Sequence, residues 1–234
     1  QVYHSEYYDV SDFSSWGIPG SLEMKPEITA PGGSIYSVNG AVKGGQAYET
    51  MSGTSMASPQ IAGMTALVAQ YIRENGLAAK TGLTVRQLTN SLLMSTAEPV
   101  IEEATGLPYS VLNQGAGLAN VNSAIQADSY LTMAADATSG ATDGKVKVEL
   151  GDDPAKTGEY TFAYTLTNLK DEAAYYLFDT DVFTQDLFAD SGAIYLDTWT
   201  IELPAEVSYK VDDALVEAGS GYTDADVQTI LDYA

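Results

Sequence analysis

The sequence contains no cysteine and a single histidine, His4, among its 234 residues. The absence of cysteine excludes disulfide bonds, thiolate metal sites and a cysteine nucleophile. One histidine excludes a metal site built from several histidines, and it limits any serine–histidine pair within the chain to His4. No stretch approaches the ~20 consecutive apolar residues that cross a bilayer. We therefore expect no membrane insertion by this chain.

Basic residues are also few, since 10 Lys and Arg stand against 32 Asp and Glu and give a formal net charge of −22. This charge repels nucleic acid and anionic membranes, so neither is an expected partner. The imbalance is uneven, with 5 basic and 10 acidic residues in 1–127 but 5 and 22 in 128–234. The shift indicates two units with different surfaces.

Frequent glycine and proline in the first 50 residues predict loops and short strands. Residues 56–75 then show a helical pattern with almost no polar face, which predicts a buried helix. A second helix is predicted over 84–97, where Thr84 and Gln87 can form a capping box. A short third helix is expected to begin near Asn122.

After Ala127 the hydrophobic pattern alternates with a period of two. The alternation is clear at residues 145–150, 160–166 and 199–203. Alternation between turn residues is typical of half-buried strands in an antiparallel β-sandwich. We therefore place a domain boundary near residues 127–130.

The C-terminal stretch reads TDADVQTILDYA and predicts a short helix capped by Thr223. A sandwich domain seldom ends on such a helix, so we expect this unit, residues 128–234, to lack its last strands. Its paired aspartates are 179 and 181, 212 and 213, and 224 and 226. Such oxygen ligands suit Ca²⁺; the alternative is a solvated acidic surface.

Residues 53–59 read GTSMASP and lead into the predicted buried helix. A serine hydroxyl is a weak nucleophile unless a base takes its proton. The start of a helix offers free N–H groups and a positive dipole end beside a reacting carbonyl. Ser55 stands at such a start, and Gly53 allows a tight approach. The alternative is an ordinary core helix capped by Thr or Ser.

The surrounding motifs favour catalysis over that alternative. Residues 13–17 read FSSWG, 25–32 KPEITAPG, 48–59 YETMSGTSMASP, 60–63 QIAG and 113–117 NQGAG. In this order they resemble the C-terminal part of the catalytic domain of subtilisin-like serine proteases, the subtilase family. The likeness is greatest to large cell-envelope proteases of the lactocepin and C5a-peptidase kind, and it covers roughly residues 9–127.

The resemblance implies an α/β subtilisin-like fold for residues 1–127, with Ser55 as the nucleophile of a serine endopeptidase. In this family the triad order is Asp, His, Ser, with the His about 150 residues and an oxyanion-hole Asn about 65 residues before the Ser. We expect all three to come from a missing N-terminal half, and the chain alone to be inactive. His4 and Asn39 match no family motif and are interpreted as structural. Gln60 stands where many relatives carry a His outside the triad.

The position of residues 128–234 resembles that of a fibronectin-III-like β-sandwich after such catalytic domains. The resemblance implies a protein or peptide substrate, no required cofactor, and a secreted or cell-envelope location of the bacterial type. Two alternatives remain open at this point. One is a non-catalytic extracellular adhesion or scaffold protein, and the other is an inert proteolytic fragment that keeps the fold.

Overall fold

The computed structural model describes part of the chain in full and two strands by their backbone alone. The described residues are 9–15, 17, 23–40, 44, 47–104, 106–133, 143–150, 154–157, 160, 162–172, 174 and 176, with the backbone of 181–190 and 193–202. Two compact units are present, Gln1–Leu169 and Lys170–Ala234. His4, the predicted helix at Thr223 and every paired aspartate except Asp181 lie outside the described residues.

The first unit contains five helices and four strands within its described residues, and two strands follow in the second unit. They are β1 (Ile35–Val38), β2 (Tyr48–Met51), α1 (Thr54–Glu74), α2 (Leu77–Thr81), α3 (Val85–Ser95), α4 (Val111–Gln114), α5 (Val121–Ile125), β3 (Ser129–Met133), β4 (Tyr164–Asn168), β5 (Asp181–Asp190) and β6 (Ala193–Glu202). The strands pair antiparallel as β1–β2, β3–β4 and β5–β6. None of the helices in the described ranges is long and apolar enough to cross a bilayer.

Helix α1 confirms the helix predicted over residues 56–75, and it ends where Gly76 adopts a left-handed φ of 63°. The prediction that this helix is buried is wrong. Val68 and Ile72 are its buried residues, whereas Leu67 is 55% exposed. Between Ile61 and Ala69 the helix carries mostly apolar and small side chains, but the described elements pack against one side of it. The opposite side therefore remains open to solvent.

Helix α3 begins on the predicted capping box. The Thr84 hydroxyl accepts a hydrogen bond from the Gln87 N–H at 3.2 Å, and the Gln87 side chain accepts one from the Thr84 N–H at 3.0 Å. These bonds satisfy two backbone donors that a helix start leaves unpaired. The short helix expected near Asn122 is α5, whose start is capped by the Asn120 side chain.

The core lies where α1, α3, α5 and β3 meet. Its fully or nearly fully buried members are Val68, Ile72, Leu88, Leu92, Leu93, Ala124 and Tyr130. Strand β3 is joined to α3 by hydrogen bonds from the Ser91 hydroxyl to the Leu131 carbonyl oxygen (2.5 Å) and from the Leu131 N–H to the Ser95 hydroxyl (2.9 Å). The first unit accordingly runs on to Leu169, and the domain division near residues 127–130 stays a prediction.

The strand predicted over residues 145–150 does not form, because this segment pairs with no other strand in the described chain. Its lysine side chains hold the segment in place instead. Lys145 forms an ion pair with Glu27 at 2.9 Å, and the Lys147 ammonium donates to the Met24 carbonyl oxygen at 2.9 Å. The alternation thus marks an extended segment held by its lysines. The other two alternating stretches overlap β4, which begins at Tyr164, and β6.

Gln114, at the end of α4, is buried and joins two loops through its amide. Its Oε1 accepts a hydrogen bond from the Val100 N–H at 2.6 Å, and its Nε2 donates to the Tyr109 carbonyl oxygen at 2.6 Å. A buried backbone group without a partner costs about 1–3 kcal/mol. The Gln114 amide therefore contributes more to the free energy of unfolding than the amide of an exposed glutamine does.

We predict that Gln114→Leu lowers the free energy of unfolding by about 3 kcal/mol, since it leaves the Val100 N–H and the Tyr109 carbonyl without this partner. Urea unfolding of the variant measures the loss. Gln126→Leu, at the exposed residue that follows α5, is the matched control and should change stability by less than about 0.5 kcal/mol. Equal effects of the two substitutions would contradict this role of Gln114.

Glu27 lies among three lysines of the first unit. It pairs with Lys25, with Lys145 at 2.9 Å and with Lys147 at 3.8 Å. Burial alone would raise the pKa of the Glu27 carboxyl, but hydrogen bonds and attraction from Lys25 and Lys145 lower it from 4.5 to about 2. The folded protein therefore holds this carboxylate ionised at pH values where the unfolded chain protonates it.

Because the folded pKa is depressed, Glu27 stabilises the fold fully above pH ~4.5, and this contribution is lost as the pH falls toward about 2. We predict that Glu27→Gln lowers stability at pH 6 and weakens the pH dependence of unfolding in this window. Urea unfolding at pH steps of half a unit measures both effects. Glu103→Gln, at an exposed turn, is the control and should leave the slope in place.

Candidate active site

Ser55 is the second residue of α1 and is exposed to solvent. None of the hydrogen bonds formed by the described residues occupies its hydroxyl. Gly53 precedes the helix with φ +154°, a backbone conformation that residues with a Cβ rarely adopt. The chain thus turns sharply before α1 and presents the serine at the helix start.

A loop at residues 31–34 holds this turn in place. Three hydrogen bonds join them: Gly53 N–H to Gly32 O at 2.8 Å, Ser34 N–H to Ser52 Oγ at 2.8 Å, and Gln60 Nε2 to Pro31 O at 2.7 Å. A Cβ on Gly32 would lie 2.8 Å from the Gly53 carbonyl oxygen, which is closer than such atoms normally approach. The two backbones can therefore come this near only because residue 32 is glycine. The hydrogen bond from the Gln60 side chain to the Pro31 carbonyl oxygen gives Gln60 a structural role in holding this loop.

The NQGAG motif packs on the other side of the same segment. The Thr29 N–H donates to the Gly117 carbonyl oxygen at 2.8 Å, and the Ala119 N–H donates to that of Thr29 at 2.9 Å. Gly115 has φ +64°, and a Cβ there would lie 2.4 Å from the Pro26 carbonyl oxygen. Three motifs that are far apart in the sequence therefore meet beside Ser55.

The start of α1 can supply one part of an acyl-transfer site by itself. The first N–H groups of a helix have no intrahelical acceptor, so the Ser55 N–H is available to an oxyanion beside the hydroxyl. The described residues contain no imidazole to act as base, since His4 lies outside them. Asn39 closes the β1–β2 hairpin, where its N–H donates to the Ala47 carbonyl oxygen at 2.7 Å.

A cavity of about 330 Å³ lies next to Ser55, between the β1–β2 hairpin and the start of α1. Glu49 of β2 lines it together with Ser55. Sequence reasoning missed Glu49 because its spacing from Ser55 carries no motif. The alternation of residues 48–51 was the available signal, since it places Glu49 and Met51 on one face of a strand.

No group of three or more Asp, Glu or His residues that could hold a metal ion is present in the described part of the chain. The paired aspartates with which the sequence suggested Ca²⁺ fall almost entirely outside it. Cofactor binding therefore stays a prediction.

Comparison with known proteins places these motifs in a family. Residues 4–139 match the profile of the Subtilase family, and this range includes every motif described above. A PII-type proteinase of Lactococcus lactis subsp. cremoris is 33% identical over 221 residues, which cover 92% of this chain and 11% of the relative. The C5a peptidase of Streptococcus pyogenes serotype M1 is 30% identical over 229 residues, covering 91% of this chain and 18% of the relative.

The chain thus spans between about a tenth and a fifth of the length of these curated relatives. The resemblance seen in the motifs is confirmed, both for the family and for its proteinase and C5a-peptidase members. The match includes the turn that presents Ser55 and the two segments that hold it. From this match over more than half of its residues, we conclude that the chain belongs to the subtilase family.

Proposed function

We propose that the chain is the nucleophile-bearing part of a serine endopeptidase, with Ser55 as the attacking residue. The observation that carries this proposal is the exposed Ser55 hydroxyl at the start of α1, on a turn fastened to the loop at 31–34. The names of the relatives, proteinase and C5a peptidase, support a protein or peptide substrate. The family resemblance supports a secreted or cell-envelope location.

The reaction is acyl transfer through a Ser-His-Asp triad. A histidine takes the proton of the Ser55 hydroxyl as its oxygen attacks the peptide carbonyl, and an aspartate orients that histidine. The resulting oxyanion accepts hydrogen bonds from the Ser55 N–H and an asparagine. The histidine then protonates the leaving amine, and water hydrolyses the acyl-enzyme by the same steps.

We propose that the Asp, His and Asn belong to an N-terminal part of the protease that packs on this chain. The exposed side of α1 supports this, because Ala62, Ala66 and Leu67 lie open there at helical spacing. An apolar helix face needs a covering element to be stable in water. Removing the base costs about 10⁶-fold in kcat in subtilisin, so the chain alone should be nearly inert.

A second feature supports the same partner. Ile28 and Ala30 form no backbone hydrogen bonds with the described residues, whereas Thr29 between them pairs with the segment at 117–119. Alternate residues of an extended segment point their backbone groups to opposite sides, so one edge is paired and the other is open. A groove of about 470 Å³ runs beside this edge and the start of α1. An added strand would fill it.

We further propose that residues 128–234 form a fibronectin-III-like β-sandwich. The antiparallel pairs β3–β4, in the first unit, and β5–β6, in the second, each support strand structure in this range. We expect catalysis to need no cofactor, with Ca²⁺ at the paired aspartates as the alternative to a solvated acidic surface.

A fluorophosphonate probe tests the function directly. In the protease assembled with its N-terminal part, we predict covalent labelling of Ser55, detected by mass spectrometry of the modified peptide. Ser55→Ala should abolish both labelling and peptide hydrolysis, because no other hydroxyl occupies the attacking position. Ser58→Ala, one turn along the same exposed helix start, should retain labelling. Absence of labelling with the N-terminal part present would favour an adhesion or scaffold protein, or an inert fragment.

Gly32→Ala tests whether the loop at 31–34 positions the nucleophile. The added Cβ would lie 2.8 Å from the Gly53 carbonyl oxygen and would push that oxygen away. A misplacement of about 1 Å in a catalytic site costs ~100-fold in rate. We predict a loss of this size in the second-order rate constant of labelling, with the helical circular dichroism retained. Gly40→Ala is the control, since nothing lies within 4 Å of its added Cβ. A variant labelled at the normal rate would show that the contact has no catalytic role.

A further inference from the structure

The residues that line the cavity beside Ser55 can favour some peptide side chains over others. Its lining residues are Ile35, Ser37, Val38, Glu49, Met51, Ser55, Met56, Pro59 and Gln60. Its volume of about 330 Å³ falls at the lower end of the range of ligand pockets, roughly 300–1,000 Å³. Since Ser55 is part of its wall, a side chain that occupies the cavity lies close to the bond under attack.

Alternate residues of the β1–β2 hairpin line this cavity, together with Val38 at the end of β1. The antiparallel register of the hairpin pairs Ile35 with Met51 and Ser37 with Glu49, and all four of these residues line the cavity. The opposite face of the hairpin carries Tyr36 and Tyr48, whose rings stack with centroids 5.7 Å apart. Glu49 is therefore fixed on the cavity side by the register of the hairpin, because a strand alternates its side chains.

Glu49 is the one charged residue among those that line the cavity. It forms no ion pair with any lysine or arginine of the described residues. Glu49 is exposed to solvent, and Ile35, Met51 and Met56 add aliphatic and thioether side chains to a lining that also includes Ser37 and Gln60. A partly apolar cavity with one carboxylate suits a side chain that has an aliphatic stem and a cationic end, as lysine and arginine do.

We propose that Glu49 determines specificity by selecting substrates that carry lysine or arginine next to the scissile bond. This inference rests on the proposed function, since it assigns a role to a residue beside the Ser55 nucleophile. The excess of 10 acidic over 5 basic residues in 1–127 acts in the same direction, because an acidic surface attracts cationic peptides over longer distances.

The test uses the protease assembled with its N-terminal part and begins with fluorophosphonate labelling of Ser55. A second, unlabelled portion of the same enzyme preparation is given a mixed peptide library, and the cleaved bonds are identified by mass spectrometry. We expect enrichment of lysine and arginine directly beside the cleaved bond. The preference should fall about fivefold in Glu49→Gln, the effect of one exposed ion pair. In Glu49→Lys it should shift toward aspartate and glutamate.

Two controls separate a local effect from a general one. Glu103→Gln removes the same charge from an exposed turn outside the cavity and should leave the preference unchanged. Raising the salt concentration should weaken the preference of the unsubstituted enzyme, because exposed charges are screened. Labelling of Ser55 with a cleavage pattern that is the same in Glu49→Gln would overturn this inference alone. Failure of labelling would overturn the proposed function, and the inference with it.

Discussion

The hydrogen bond from the Gly53 N–H to the Gly32 carbonyl oxygen brings two backbones together at the start of α1. Neither residue has a Cβ. A Cβ added to Gly32 would lie 2.8 Å from the Gly53 carbonyl oxygen, which is too close, so the contact requires glycine at residue 32. The exposure of Ser55 depends on this contact, because the turn before the helix must leave the loop at 31–34 sharply. Gln60 strengthens the same contact from the first turns of α1.

The two sides of α1 have different environments. On one side Val68 and Ile72 join a core with α3, α5 and β3, while on the other side Leu67 is 55% exposed. The open side of α1 fits the proposed packing of an N-terminal part of the protease. The end of α1 that carries Ser55 lies at the edge of that open side, beside the groove near Ile28 and Ala30. A partner that covers the helix would therefore also reach Ser55.

Two glutamates of the first unit show how environment assigns different roles to one residue type. Lys25 and Lys145 neutralise Glu27 and lower the pKa of its carboxyl to about 2, so its charge serves stability. Glu49 has no such neighbour among the described residues and lines a partly apolar cavity. Its charge is therefore left for the cationic substrate side chain that we propose.

Local patterns in the sequence were sufficient for the helices α1 and α3, for the capping box at Thr84 and for the candidate nucleophile Ser55. Helical periodicity, caps and the GTSMASP motif all depend on residues within a few positions of each other, so the sequence by itself determines them. The partial burial of α1 and the extended, unpaired segment at 145–150 depended on which distant elements pack there. The same holds for the placement of Glu49 and Ser55 around one cavity, which requires the hairpin register and the helix together. Tertiary structure decided these features, because burial and charge pairing join residues that lie far apart in the chain.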